Sequence, residues 1–418
     1  MVGRFTFSQR NASAKLGAEL ALALRELGFE PHLVSLLEEA PAQPDCLSKI
    51  NGVNVLPLLM NGSTQGCMDS GFEADNPYKS ESIRSAALVH HIMESEDHYV
   101  LMLSLSIGLA ALNTVGSAVR RARLPWCHLL VEEVLSLALG RDKVFWARPL
   151  IAIRGMLTAI ALYGVCLRRA KVICCLTPDL RDLLLRVGYS KEKVHLMPNI
   201  KSRHSSDFLV KPEAISVGGD DDKPTPFPYL FFSGHLSFTK EEFVNLSMAI
   251  AILKARFKSI GLVLVGTAEG RQVLRLHSLA KELGIQELVC WKGFVSDERL
   301  RRLRSQALAH IMLKRNVRFN RYNFSTRLLE YLATSRPVLL SNIKTHLAYF
   351  THGKNALIVD PNNSDQIVQA IEWVYDNPER ANGIGRAGCE LLKVEFDGAL
   401  NVQSLLKTLG ISCSVPLL

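Results

Sequence analysis

Ser233-Gly234-His235-Leu236 closes an apolar run, and Lys240 follows shortly after it. A glycine at the end of a strand lets a ligand approach the backbone. His235 and Lys240 then fall near the start of the next helix, where an anion is favoured. A plain turn with a solvated lysine is the competing reading. Val265-Gly266-Thr267 and Gly293-Phe294-Val295 also follow apolar runs. Phe294 and Val295 there suit a pocket for a nucleobase, with simple loop packing as the alternative. The densest feature is the run from Lys314 to Arg327, which holds Lys314, Arg315, Arg318, Arg321 and Arg327 and no acidic residue. Asn323-Phe324-Ser325 reads as a loop, Ser325 as the cap of a helix beginning at Thr326. The first amides of that helix and Arg327 suit a diphosphate, since charge-assisted hydrogen bonds contribute about 1.5–3 kcal/mol each. Glu330 lies one turn on, where a carboxylate can accept two hydroxyls of a ribose. A solvated basic face and an ordinary exposed helix position are the plainer accounts of these cations and of Glu330.

The elements that must position these residues alternate. After Pro228, strands are expected at Tyr229–Ser233, Gly261–Val265, Leu288–Trp291, His310–Leu313, Pro337–Leu340 and Ala356–Val359. Helices are expected between them at Glu241–Phe257, Gly270–Leu283, Asp297–Ser305, Thr326–Thr334 and Ser364–Asp376. That alternation predicts a parallel sheet with crossover helices and a ligand at the carboxyl ends of the strands. Before Lys201 the same pattern is less regular: strands at Arg4–Ser8, Pro31–Leu36, Val100–Leu105, Cys127–Val131 and Lys171–Leu176, and helices at Ala14–Leu27, Ile107–Arg121 and Arg148–Arg169. Thr177 reads as a cap with Pro178 at the first helical position. The Ser-, Gly-, Asp- and Pro-rich stretch 204–228 reads as a linker between a first domain, 1–203, and a second, 229–396. Residues 397–418 are expected to form a terminal helix and tail packing back on the first domain.

The chain has 418 residues, 48% of them apolar and 21% charged, which excludes general disorder. Its formal charge of +9 is uneven: residues 1–222 carry 24 Lys and Arg against 24 Asp and Glu, residues 223–418 carry 25 against 16. A basic second half suits a phosphorylated ligand, and also nucleic acid or an anionic membrane. No RNA-binding aromatic pattern or basic recognition helix accompanies it, so nucleic acid is not expected. The nine cysteines show no metal-ligand spacing, and no metal site is expected; free thiols in a reducing compartment are the reading. Pro149–Leu167 is apolar but interrupted by Arg154, which argues against a span. A cytoplasmic protein with a peripheral contact to the inner face of the membrane is expected.

In their order and spacing these motifs resemble those of the retaining GT-B glycosyltransferases, the family 4-like group. Gly234-His235-Leu236 with Lys240 is similar to that group's Gly-Arg-Leu and downstream lysine. Ser325–Pro337, STRLLEYLATSRP, and Asn355–Pro361, NALIVDP, are similar to its glutamate-bearing helix and its later strand. The resemblance is close over Tyr229–Phe396 and only topological over residues 1–200.

The resemblance implies an α/β fold of two Rossmann-like domains facing across a cleft. It implies transfer, with retention, of a sugar from a UDP- or GDP-sugar co-substrate to a glycan, lipid-linked or small-molecule acceptor, with no permanently bound cofactor. Lys240 and Arg327 would bind the diphosphate, with His235 in place of an arginine, and Glu330 would bind the ribose. The donor pocket would run through Gly234, Gly266, Phe294, Val295, Asn323, Phe324, Ser325 and Thr326. The group's first glutamate, which contacts the sugar, is replaced by Tyr322, so that contact is expected from Asn323 or backbone amides. Glu132 and Glu133, at the end of a first-domain strand, are candidates for acceptor orientation or base chemistry, and Lys15 and Asn11 are weaker ones. A sugar-nucleotide epimerase on the same scaffold and a donor-binding protein without turnover remain as competing functions.

Overall fold

A computed structural model describes residues 2–3, 12–35, 49–50, 53–55, 100–105, 112, 115–116, 119–130, 157, 160–203 and 227–413. The chain divides into two compact units: Met1–Ser202, Tyr322–Phe324 and Asp397–Leu418 form the first, Arg203–Arg321 and Ser325–Phe396 the second.

The first unit holds strands β1 (Val2–Gly3), β2 (His32–Ser35), β3 (Lys49–Ile50), β4 (Val53–Val55), β5 (Met102–Leu105), β6 (Trp126–Leu130), β7 (Val172–Cys175) and β8 (Val194–Leu196). They form one sheet in the order β3-β4-β2-β1-β5-β6-β7-β8. Among the described residues of this sheet, only the β3–β4 pair is antiparallel. The strand expected at Arg4–Ser8 lies outside the described residues. Every residue of β6 and β7 is buried. Continuous apolar runs of this kind belong to parallel strands covered on both faces. One polar network interrupts the apolar interior: Trp126 Nε1 donates to Ser104 Oγ at 2.8 Å, and Ser104 Oγ lies 2.8 Å from His128 Nδ1. Burial pushes His128 down to about 4, so its ring is neutral at physiological pH.

Helix α1 (Ala12–Glu26) repeats buried Leu16, Leu20, Ala23 and Leu24 along one face. Helix α2 (Pro178–Arg186) starts as its sequence dictates: Thr177 Oγ1 accepts from the Leu180 amide at 3.2 Å, with Pro178 at the first position. The helix expected through Arg169 ends differently. It passes into a π-turn at Leu162–Cys166 and a 3₁₀ turn at Leu167–Arg169. The Tyr189 hydroxyl donates to the Tyr163 carbonyl inside that turn.

The second unit is a six-stranded sheet of β9 (Tyr229–Leu236), β10 (Gly261–Ala268), β11 (Val289–Trp291), β12 (Ala309–Met312), β13 (Val338–Ser341) and β14 (Leu357–Val359). All pairings are parallel and the order is β11-β10-β9-β12-β13-β14. The chain winds outward from β9 to β11, then returns to β12 on the other side of β9. The reversal leaves a crevice at the carboxyl ends of β9 and β12, where ligands of open α/β sheets bind.

Its crossovers carry α3 (Phe243–Ala255), α4 (Gly270–Glu282) and α5 (Asp297–Ser305), then the short helices α6 (Arg318–Arg321), α7 (Thr326–Leu332) and α8 (Lys344–Leu347); α9 (Ser364–Asp376) follows the last strand. Ser296 caps α5, accepting from the Arg299 amide at 3.3 Å. Phe232, Phe243, Leu246, Ile250, Leu262 and Leu264 lie in one apolar core that joins α3 to the sheet. Helix α10 (Pro378–Glu395) ends the second unit, and α11 (Gly398–Leu409) packs on α1 in the first. The α10–α11 junction is anchored there: the Gly398 amide donates to the Lys201 carbonyl at 2.9 Å.

Candidate functional site

β9 and β10 were expected to end at Ser233 and Val265; both run on together to Leu236 and Ala268. Gly234 and Gly266 make this possible. They are register partners, and each adopts a φ of +135°, where a side chain is strained. Space forbids one as well. A Cβ on Gly266 would sit 2.1 Å from the Gly234 carbonyl oxygen, and one on Gly234 would sit 2.8 Å from Arg327 Nη1. The Gly266 amide donates to the Gly293 carbonyl at 2.7 Å, which ties the Phe294 loop to the end of β10. Phe294 itself is 62% exposed there, and Val295 is half-buried. His235 is exposed, its Nδ1 3.2 Å from Thr267 Oγ1.

The segment after β9 folds onto the end of β12. Glu241 and Lys314 form an antiparallel bridge. The Glu242 amide donates to the Leu313 carbonyl at 2.7 Å, and the Arg315 amide to the Lys240 carbonyl at 2.9 Å. Buried Asn320, on α6, donates from Nδ2 to the carbonyls of Lys240 and Arg315 at 2.8 and 2.7 Å. Arg318–Arg321, within the basic run, is therefore a helical turn whose Asn320 clamps the Lys240 backbone. Lys240 Nζ rests 4.6 Å from the centre of the Phe319 ring.

Arg327 occupies the middle of this assembly. Its Nη1 donates to the Ser233 carbonyl at 2.5 Å and its Nη2 to Glu241 Oε1 at 2.7 Å. The guanidinium also lies 4.5 Å from the centre of the Phe232 ring. Burial opposes its charge, but Glu241 above all, with Tyr331 and then Glu330, raises its pKa. Lys314 is 4% exposed. Burial, with the Lys314 charge second, pushes nearby His346 down to about 3, so this histidine adds no positive charge at neutral pH.

Glu330 is not an exposed helix position. Helix α7 is buried along Leu328–Leu332, and a carboxylate inside it needs a counter-ion. Arg304, at the end of α5, supplies one: Nη2 meets Glu330 Oε2 at 2.9 Å, with side-chain exposures of 5% and 7%. The aromatic neighbour Tyr331 accepts from the Ser233 amide at 2.8 Å and stacks on His310 with ring centres 4.5 Å apart. Ser325 occupies the cap position of α7 but makes no side-chain capping bond, and Thr326 opens the helix.

The structure thus gathers Gly234, Gly266, Lys240, Lys314 and Arg327 around the carboxyl ends of β9, β10 and β12, with Glu330 acting electrostatically on Arg327. Tyr322, Asn323 and Phe324 belong to the first unit. Tyr322 packs against that unit's apolar cluster, and Asn199 Nδ2 donates to the Phe324 carbonyl at 2.7 Å. An aromatic side chain rather than a carboxylate at 322 answers to those apolar neighbours. Lys15, on α1, is half-buried in the first unit. Asn11, Glu132 and Glu133 lie outside the described residues. Sequence reasoning missed Glu241, the partner of Arg327, and Arg304, the partner of Glu330. Both stand in charged stretches that read as solvated surface.

Two family models match the chain: glycosyl transferases group 1 over residues 220–390, and the glycosyl transferase 4-like domain over residues 17–200. A putative glycosyltransferase, EpsD of Bacillus subtilis (strain 168), is 27% identical over 176 residues, covering 42% of this chain and 43% of that protein. The chain therefore aligns with less than half the length of that curated relative. Among solved structures, Anabaena Alr3699/HepE in complex with UDP and glucose superposes with a TM-score of 0.66 at 16% identity, covering 98% of each chain. Sucrose-phosphate synthase from Thermosynechococcus elongatus gives 0.67 at 15% identity, again over 98% of each chain. At such identities the likeness speaks to the fold, which is GT-B: two Rossmann-like α/β domains.

Proposed function

Because this chain belongs to the group 1 glycosyltransferases, we propose that it moves a sugar from a nucleoside-diphosphate donor, UDP- or GDP-linked, to a glycan, lipid-linked or small-molecule acceptor, with retention at the anomeric carbon. The observation that carries this reading is the cation set Lys240, Lys314 and Arg327 at the β9/β12 switch point, beside two glycines that keep the strand ends bare of side chains. As the glycosidic bond breaks, negative charge grows on the leaving diphosphate. Cations fixed in advance in a low-dielectric crevice stabilise that charge without reorganising. Lys240 and Arg327 are assigned to the diphosphate and Glu330 to the ribose hydroxyls, with Arg304 holding the carboxylate in place. Phe294 and Val295 are assigned to the base. The similarly folded Anabaena Alr3699/HepE, solved with UDP, with UDP-glucose and with UDP and glucose, supports a nucleotide-sugar donor.

The test is incubation of the purified protein with a panel of nucleotide sugars and candidate acceptors. Nucleotide release that depends on acceptor is the expected result. Interconversion of the sugar without release, or binding without turnover, would overturn it. Lys240→Ala should weaken donor binding more than roughly tenfold, from loss of one charge-assisted contact; unchanged affinity would remove Lys240 from the site.

The acceptor is assigned to the first unit, with Glu132 and Glu133 as candidates for orienting it or taking up its proton. No helix among the described residues is long and apolar enough to cross a membrane. The described cysteines are free thiols, most of them buried, which supports a reducing, cytoplasmic setting. Leu157, Ile160 and Val165 are 59%, 60% and 52% exposed just before exposed Arg168 and Arg169, an apolar face running into a basic one. That pattern supports a peripheral contact with anionic lipid. Sedimentation with phosphatidylglycerol vesicles at low salt, lost on adding salt, is expected; no sedimentation would remove the membrane contact.

A further inference from the structure

The cations assigned to the diphosphate are already held by partners inside the second unit. Arg327 gives Nη2 to Glu241 Oε1 at 2.7 Å and Nη1 to the Ser233 carbonyl at 2.5 Å. Lys240 rests its ammonium on the Phe319 ring at 4.6 Å. Glu241 is 5% exposed, and it is a half-satisfied anion: its Oε2 is buried and has no hydrogen-bond partner. A buried carboxylate oxygen without a donor loses its hydration and receives little in return. The Arg327–Glu241 contact is therefore weaker than one in which both oxygens are bonded. It is nevertheless the contact that an incoming phosphate must replace or share.

We propose that Glu241 is an affinity-setting residue of the donor site, an internal carboxylate that stands on Arg327 where a phosphate oxygen of the donor would stand. This rests on the donor-site reading above. The carboxylate acts in two ways. It satisfies Arg327 when no donor is present, so that the half-buried guanidinium keeps its position beside Gly234. It also opposes a diphosphate by charge repulsion, and only a ligand bearing more than one negative charge at that point gains by displacing it. Weak ground-state binding of the nucleotide follows, which favours departure of the spent nucleoside diphosphate after transfer. No bond to Glu241 is made or broken in the reaction; the exchange is one of ion-pair partners.

Isothermal titration with UDP, GDP and inorganic pyrophosphate tests this on the wild-type protein and on Glu241→Gln. Glutamine keeps a carbonyl oxygen for Arg327 Nη2 and removes the charge. The expected result is binding of UDP or GDP, and of pyrophosphate, about tenfold tighter in the variant, with uridine or guanosine unchanged. Because Glu241→Gln also alters a buried ion pair, Phe319→Leu provides a second readout: it removes the ring beneath the Lys240 ammonium without touching Arg327, and should tighten the same diphosphates about threefold. Equal or weaker diphosphate binding in a folded Glu241→Gln protein overturns the proposal while leaving the donor site standing. So does an equal gain for the bare nucleoside, which would mark a general change of conformation. If none of the three diphosphates binds any of the proteins, the donor-site reading falls, and this one with it.

Discussion

Arg304→Met will destabilise the protein by about 3–5 kcal/mol, because it strands the Glu330 carboxylate inside α7 without its counter-ion. The pair is held at 2.9 Å with both side chains below a tenth exposed, so solvent cannot replace the missing guanidinium. Denaturant unfolding of the second unit measures the loss. The double variant Arg304→Met with Glu330→Met should recover most of it, since an apolar pair of similar volume is often neutral or stabilising where a buried ion pair stood. The recovered protein should still bind nucleoside diphosphate poorly, through loss of the ribose contact. If Arg304→Met unfolds at the wild-type denaturant concentration, Glu330 is solvated and its placement inside the second unit is wrong.

Arg327→Met should have the second large effect, and for two separable reasons. It removes the counter-ion of buried Glu241 and the donor to the Ser233 carbonyl, and it removes the cation assigned to the diphosphate. The first effect reads as lost stability of about 3 kcal/mol, the second as a fall in kcat/KM for donor of ten- to a hundredfold, at about 1.5–3 kcal/mol per charge-assisted bond. Adding Glu241→Met should restore stability without restoring activity. Recovery of both would make Arg327 a strut and nothing more.

Much of the second unit is legible from residues alone, because parallel strands read as short apolar runs and crossover helices carry a buried stripe. The bounds of α5 and α9 follow from Ser296 and Asn363, whose side chains cap them. What escaped depends on contacts between distant residues. Gly234 and Gly266 read as strand ends, yet pairing at φ +135° lets β9 and β10 continue. The turn of α6 arises from Asn320 bonding two backbone carbonyls, which no periodicity announces. Cation placement is similar. Lys240 and Arg327 stand out by spacing, but their partners Phe319 and Glu241 are brought to them only by the folding of the β9–α3 segment on β12. Tyr322 looks in sequence like a missing carboxylate; in the structure it is a packing residue of the first unit. The first unit is less legible, since its helices interrupt their own pattern, as at the π-turn of Leu162–Cys166.

The most direct measurement is a crystal structure of the protein soaked with UDP or GDP. The two phosphates should lie in the crevice at the carboxyl ends of β9 and β12, within hydrogen-bond distance of Lys240 and Arg327, with the ribose against Glu330. Phosphates bound anywhere else, with Arg327 still on Glu241 and Lys240 still on Phe319, would contradict the account.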